Sequence, residues 1–381
     1  RQIKDLSSGP WYFGRVPRHP FSEVNIYDLS AVTEWLPATV PGNVRTDLLA
    51  LGRISQPFCG ENFKESWWTE DEDWWYRRTV EVDMFPSRAR RAFIIFEGID
   101  YQYAIFINGQ EFVREQGMFS RRIIEVTDAL SNGRDRIELA VRLWGSSALP
   151  RRQLTWQQQM WQNLAGRLYR SWAGIYPDRS ATLKCQMSFG WDFAPPIRTM
   201  GIWDDVRLVF SGPVFIEEAS ATATPEPFCP NLTGSVAAPG THPSKATRQT
   251  DPNIPTAEAF SAARLSVHIT LNSVQPGQTS AAVSLIAANF EGQTVGPYRF
   301  TLNTPIGKSV HCLELHLPRV ALWQPWDRGY PHLYQLQISL THSDGHILDE
   351  TQLRTGICSI DLNQWQLIIN GRREFMRGLN W

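Results

Sequence analysis

A chain of 381 residues is too long for one ordinary β-sandwich and suggests two or three domains. Its 37 basic and 38 acidic residues leave a net charge of −1 without a long run of either sign, which removes the electrostatic case for nucleic acid or an anionic membrane surface. An apolar fraction of 42% is enough for sizeable cores, yet no apolar stretch approaches the ~20 residues that span a bilayer.

The amino-terminal string Arg1-Gln2-Ile3-Lys4-Asp5 lacks the apolar run of a signal peptide. Residues 46–52 read as a short helical turn stopped by Gly52. The acidic string Glu70-Asp71-Glu72-Asp73 reads as a solvated loop before a strand, since it has neither the spacing nor the glycine of a calcium loop. From about residue 74 the chain alternates with the period of two that half-buried strands require. Residues 75–82 form one such run, and residues 92–96 are apolar enough to be buried on both faces. Residues 104–107 and 111–113 flank Asn108-Gly109, a pair that tolerates positive φ and so predicts a hairpin. Residues 136–143 alternate cleanly and close the set.

A helical excursion is predicted over 150–172, after which strands return near 182 and end near Val206-Arg207-Leu208-Val209-Phe210. A second unit opens after Gly212-Pro213. Its residues 235–258, rich in Ala, Pro, Thr and Ser, cannot bury enough surface to offset their ordering entropy and read as a loose insertion. Strand patterns at 263–269, 282–286, 312–317 and 333–340 fit about seven strands in roughly 100 residues, the pattern of an immunoglobulin-like sandwich. A last unit opens near 361 with an Asn370-Gly371 hairpin, and the string Phe375-Met376-Arg377-Gly378-Leu379-Asn380-Trp381 reads as the first strand of a further domain. The expected fold class is all-β: a jelly roll over 1–212, an immunoglobulin-like sandwich over 213–360, and the start of a third domain over 361–381.

The five cysteines lie far apart, form no CxxC pair and are odd in number. Buried reduced thiols are the expectation, which favours a cytoplasmic location. The eight histidines form no metal-ligating cluster, with His268 and His316 falling inside strand patterns as structural residues. Without a Gly-rich phosphate loop or a nucleophile elbow, no metal or cofactor is implied. Sixteen tryptophans are many; most should pack between sheets, while two or three could offer a flat face to a sugar ring.

Specific strings carry a resemblance. Pro37-Ala38-Thr39-Val40-Pro41-Gly42-Asn43-Val44, Asp73-Trp74-Trp75-Tyr76-Arg77-Arg78 and Phe96-Glu97-Gly98-Ile99-Asp100 resemble the opening of glycoside hydrolase family 2 enzymes. Phe189-Gly190-Trp191-Asp192-Phe193-Ala194-Pro195, followed by Gly201-Ile202-Trp203, is similar to the FGWDWGP and GIW strings of the β-mannosidase branch, with Phe193 and Ala194 in place of Trp and Gly. Trp323-Gln324-Pro325-Trp326, Arg354-Thr355-Gly356-Ile357 and Arg377-Gly378-Leu379-Asn380-Trp381 continue the family order to the end of the chain.

The resemblance implies a jelly-roll sugar-binding domain, an immunoglobulin-like domain and a catalytic (β/α)8 barrel of roughly 250 residues. Retaining enzymes of this type use two carboxylates about 5–5.5 Å apart. In the family both are barrel glutamates, the acid/base following an asparagine. No Asn in this chain precedes a Glu, so both catalytic residues are expected beyond Trp381. Trp191 and Asp192 are the substrate-binding candidates, the carboxylate accepting sugar hydroxyls in the −1 subsite. Trp381 and Asn380 are expected to flank the same subsite. The plainer alternatives are a turn-capping Asp beside a buried Trp, a core residue at 381, and an Asn380 bonded to local backbone.

The implied partner is a terminal β-mannoside or related β-glycoside, with the barrel in cis. Faces left open without that barrel would favour self-association. Two other functions remain: a stand-alone carbohydrate-binding module, and a relative acting on another β-glycoside, as an exo-glucosaminidase or galactosidase does.

Overall fold

The computed structural model describes residues 1–23, 26–82, 91–130, 136–150, 155–158, 160–161, 164, 179, 181–226 and 260–378. Most of the predicted 150–172 excursion and all of the 235–258 insertion lie outside the described residues, although 156–158, 160–161 and 164 are helical. The chain divides into two compact units, Gln2–Phe210 and Ser211–Trp381, with Arg1 belonging to the second.

The first unit contains β1 (Gln2–Asp5), β2 (Trp11–Val16), β3 (Leu36–Ala38), β4 (Asp73–Glu81), β5 (Arg91–Phe96), β6 (Ile99–Asp100), β7 (Gln102–Ile107), β8 (Gln110–Gln116), β9 (Arg122–Glu125), β10 (Arg136–Leu143), β11 (Gly201–Ile202) and β12 (Val206–Ser211). They form a four-stranded sheet ordered β1-β12-β5-β9, a six-stranded sheet ordered β3-β2-β4-β10-β7-β8, and a β11-β6 pair. Trp74, Tyr76 and Val80 of β4 meet Ile94 and Phe96 of β5 and Leu208 of β12 in one core, so alternation on each strand gives one shared interior. The Asn108-Gly109 turn has φ of 49° and 81° and joins β7 to β8.

The predicted helical turn is α1 (Val44–Ala50). The Asn43 side chain accepts from the Arg45 and Thr46 amides at 3.0 and 3.1 Å, while Thr46 Oγ1 accepts from the Asn43 amide at 3.2 Å. This reciprocal cap satisfies donors that a free helix start leaves open. Asn43→Ala is expected to destabilise the unit by about 1 kcal/mol, read from its urea midpoint, whereas Asn43→Ser should be nearly silent.

The second unit contains β13 (Val214–Pro225), β14 (Phe260–Ser273), β15 (Gly277–Ala287), β16 (Val295–Thr304), β17 (Gly307–Ala321), β18 (Tyr334–Thr341) and β19 (Ile347–Thr355), followed by β20 (Ile360–Asn363), β21 (Gln366–Ile369) and β22 (Arg372–Glu374). The first seven form sheets of three and four strands, β13-β14-β17 and β16-β15-β18-β19, as an immunoglobulin-like sandwich requires. Leu265, Val267 and Ile269 of β14 and Leu336, Ile338 and Leu340 of β18 point into its core at every second position. The last three strands pair in order, and residues 375–378 continue without a described ladder partner.

The described cysteines correct the expectation of buried thiols, and Cys229 lies outside the described residues. Cys59, Cys185 and Cys312 are exposed, and Cys358 is half-buried. On β17 the core takes Leu313, Leu315 and Leu317, so the pleat turns Cys312 outward, where its thiol contacts Glu314 Oε1 at 3.2 Å. His268 and His316 are likewise on the exposed side of their strands.

Candidate functional site

Trp191 and Asp192 lie on a tight exposed turn. The Trp191 amide donates to the Ala194 carbonyl at 3.0 Å and the Ala194 amide returns the bond at 3.2 Å, leaving Asp192 and Phe193 at the tip. The chain reaches this turn through a 3₁₀ segment, Gln186–Phe189, and then Gly190 at φ 91°, a conformation that side chains resist. Phe189 is fully buried beside Tyr101, Met118 and Leu149. Trp191 is 41% exposed, with the Arg179 guanidinium 5.0 Å from its ring centroid. Arg179 is held in turn by Gln186, whose Oε1 accepts from Arg179 Nε at 3.0 Å. The Asp192 carboxylate has no hydrogen bond or ion pair among the described residues and faces outward as a free acceptor.

Two buried charge clusters fix the ends of this segment. On the entry side, Lys184 Nζ donates to the Asp100 oxygens at 2.6 and 2.5 Å and to the Thr199 carbonyl at 2.6 Å. Thr199 Oγ1 donates to the same carboxylate at 2.8 Å. One ammonium thereby ties residue 184 to residue 199 across the base of the turn. Burial pushes the Asp100 carboxyl up and the Lys184 ammonium down, and the attraction between the two opposes both shifts.

On the exit side, Arg198 Nε donates to Glu70 Oε2 at 2.6 Å and Arg45 Nη2 donates to Glu70 Oε1 at 2.7 Å. Arg45 Nη1 also reaches the Arg198 carbonyl at 2.5 Å, and Trp67 Nε1 donates to the Pro196 carbonyl at 3.2 Å. The backbone flanking Asp192 is therefore fastened by charge-assisted bonds rather than left as a free loop.

These contacts correct the view of residues 70–73 as a solvated loop. Glu70 and Asp73 are buried. Asp73 accepts from Arg142 Nη2 at 2.8 Å and from the Gly145 amide at 2.9 Å, with burial raising its carboxyl above the usual range. Neither carboxylate is free for acid/base work, because each already serves a buried arginine. Asn380 and Trp381, the other two candidates, lie outside the described residues. The anchors Lys184, Asp100 and Arg198 were not singled out from sequence, because their burial and pairing depend on residues far apart in the chain.

A jelly roll followed by an immunoglobulin-like sandwich is the pair of β-domains that glycosidases of one class carry in this order. A family model described as the glycosyl hydrolase 2 galactose-binding domain-like domain matches residues 23–204, and one described as glycosyl hydrolases family 2 matches residues 249–357. The chain belongs to glycoside hydrolase family 2 and is β-mannosidase-like.

It is 25% identical over 310 residues to β-mannosidase B of Emericella nidulans, covering 80% of this chain and 31% of that protein. It is 24% identical over 348 residues to β-mannosidase B of Aspergillus flavus, covering 90% and 35%. Among solved structures, a β-D-mannosidase from Dictyoglomus thermophilum matches at 25% identity with a TM-score of 0.69, covering 100% of this chain and 40% of that one. A protein described as a β-galactosidase from Bacteroides fragilis, at 16% identity and a TM-score of 0.59 over 98% of this chain and 43% of that one, shares the fold. The match thus spans about a third of the length of these two curated relatives.

Proposed function

We propose that this chain is the N-terminal, non-catalytic part of a retaining exo-β-glycosidase that removes terminal β-D-mannose residues. The observation that carries the proposal is the 191–194 turn: a free carboxylate and an open indole, set on a backbone fixed by two buried charge clusters. A preorganised acceptor beside an aromatic face suits a sugar ring, which needs hydroxyl contacts and a flat apolar surface together. On this reading Asp192 accepts hydroxyls of the terminal sugar, while the acid/base and nucleophile come from a barrel that follows, where Asn380 and Trp381 would border the same subsite.

The strands β20–β22 support a following domain as well. Trp365 is 94% exposed and Phe375 82%, with Ile360, Leu362 and Met376 also open, an apolar surface that a packed barrel would cover. Left uncovered, the same surface favours self-association of the 381-residue chain.

Hydrolysis of a chromogenic β-mannoside tests the proposal. A protein extended through the catalytic barrel should turn the substrate over with retention of configuration, and these 381 residues alone should not. Turnover by the short chain would place the catalytic carboxylates within it and sink the proposal. So would an extended protein that ignores β-mannosides and cleaves another β-glycoside.

A further inference from the structure

We propose that a groove at the open edge of β4 is an accessory site for a neutral pyranose, built from residues other than those of the 191–194 turn. β2 pairs with β4 only from Asp73 to Arg77, so residues 78–81 of β4 have β10 on one side and no described strand on the other. The groove beside this edge is open to solvent, has a volume of about 550 Å³ and is lined by Lys4, Tyr12, Arg77, Thr79, Glu81 and Glu138. Lys4 Nζ donates to the Glu81 carbonyl at 2.6 Å, which caps the edge and disfavours a docking strand.

The lining groups hold unused hydrogen-bonding capacity. Arg77 stacks over the Trp35 ring at 4.0 Å, and its guanidinium has no hydrogen bond or ion pair among the described residues. Arg78, only 9% exposed, serves the fold instead: its Nη1 donates to the Leu6 carbonyl and, at 2.8 Å, to the Ser8 carbonyl, so it adds charge to the groove rather than a donor. Gly9, at φ 116°, leaves room for this side chain, because a Cβ there would sit 2.8 Å from Arg78 Nη2. Glu138 accepts from the Tyr27 hydroxyl through one oxygen, and the Glu81 carboxylate is exposed without a described partner. Tyr12 presents a ring that is 42% exposed.

Charge decides the ligand class. Lys4, Arg77 and Arg78 would attract an anion that Glu81 and Glu138 repel, and a cation meets the reverse. A neutral polyol uses both sets: its hydroxyl hydrogens go to the carboxylates and its oxygens accept from the Arg77 guanidinium. Tyr12 adds the flat surface that the C–H face of a pyranose covers.

The proposal does not rest on the hydrolase reading, and its test keeps the two apart. Saturation-transfer NMR is run with methyl β-D-mannopyranoside and methyl β-D-glucopyranoside on this chain carrying Trp191→Ala and Asp192→Ala, which silences the turn. At least one glycoside should still bind, with a dissociation constant of about 1 mM that changes little with salt. Adding Tyr12→Ala or Arg77→Gln should each cut the saturation-transfer signal at least about fivefold while the melting temperature stays within about 2 °C, as expected for residues outside the core. No signal in the silenced chain, or a signal that survives both substitutions, would overturn the site. Tighter, strongly salt-dependent binding of methyl β-D-glucuronide would overturn the neutral ligand class.

Discussion

Lys184→Met is expected to lower the unfolding free energy of the 2–210 unit by about 3–5 kcal/mol. The side chain keeps its length but loses the ammonium, leaving the Asp100 carboxylate buried with Thr199 Oγ1 as its remaining side-chain donor among the described residues. Asp100→Leu alone should cost a similar amount for the opposite reason, since it strands a buried ammonium. The double variant Lys184→Met with Asp100→Leu should return to within about 2 kcal/mol of the parent, because apolar groups can replace a buried ion pair at little net loss. Urea unfolding at neutral pH reads all three. A double variant no better than the sum of the singles would show that the two groups are not coupled, and the account of the turn's anchoring would fail with it. The single variants should also loosen the span from 184 to 199, so hydrogen exchange should rise there before it rises in β4 or β10.

The parts of this structure that were legible in the sequence are those set by neighbours in the chain. Residues 136–143 alternate, and β10 buries Ile137 and Leu139 in the core accordingly. Asn108-Gly109 specifies its own backbone, and the hairpin sits there. What was not legible depends on partners far apart in the chain. Glu70 pairs with Arg198, 128 residues away, and Asp73 with Arg142, 69 away, so four adjacent acids gave the local signal of a solvated loop while two of them are buried counter-ions. Asp100 and Lys184 are 84 residues apart and give no periodic signal at all.

Cys312 is a different case. The same alternation that places Leu313 and Leu315 inside fixes it outside, so its exposure was readable from the strand pattern, and the compositional argument for buried thiols pointed the wrong way. Trp191 and Asp192 were found through the resemblance of a single string. Their exposure together on one turn could not be read from that string, because it depends on Phe189 being buried and on Gly190 adopting positive φ.

On the proposed function, Asp192→Ala in the protein carrying its catalytic barrel should lower kcat/KM on a terminal β-mannoside by about 10- to 150-fold. That range is the loss of one charge-assisted hydrogen bond, about 1.5–3 kcal/mol, expressed as a rate. Asp192→Asn keeps a carbonyl acceptor without the charge and should fall between the parent and the alanine variant. Since the carboxylate has no described partner within the protein, neither variant should move the melting temperature by more than about 1 °C.

A capping role for Asp192 would give the opposite pair of results: a stability loss near 1 kcal/mol and an unchanged kcat/KM. Trp191→Ala separates the two roles further. Its ring is part of the proposed sugar surface and also a platform for Arg179, so it should raise KM while loosening the segment around Gln186. If Asp192→Ala leaves kcat/KM intact, the turn is a structural feature of the jelly roll, and the −1 subsite must be formed by other residues.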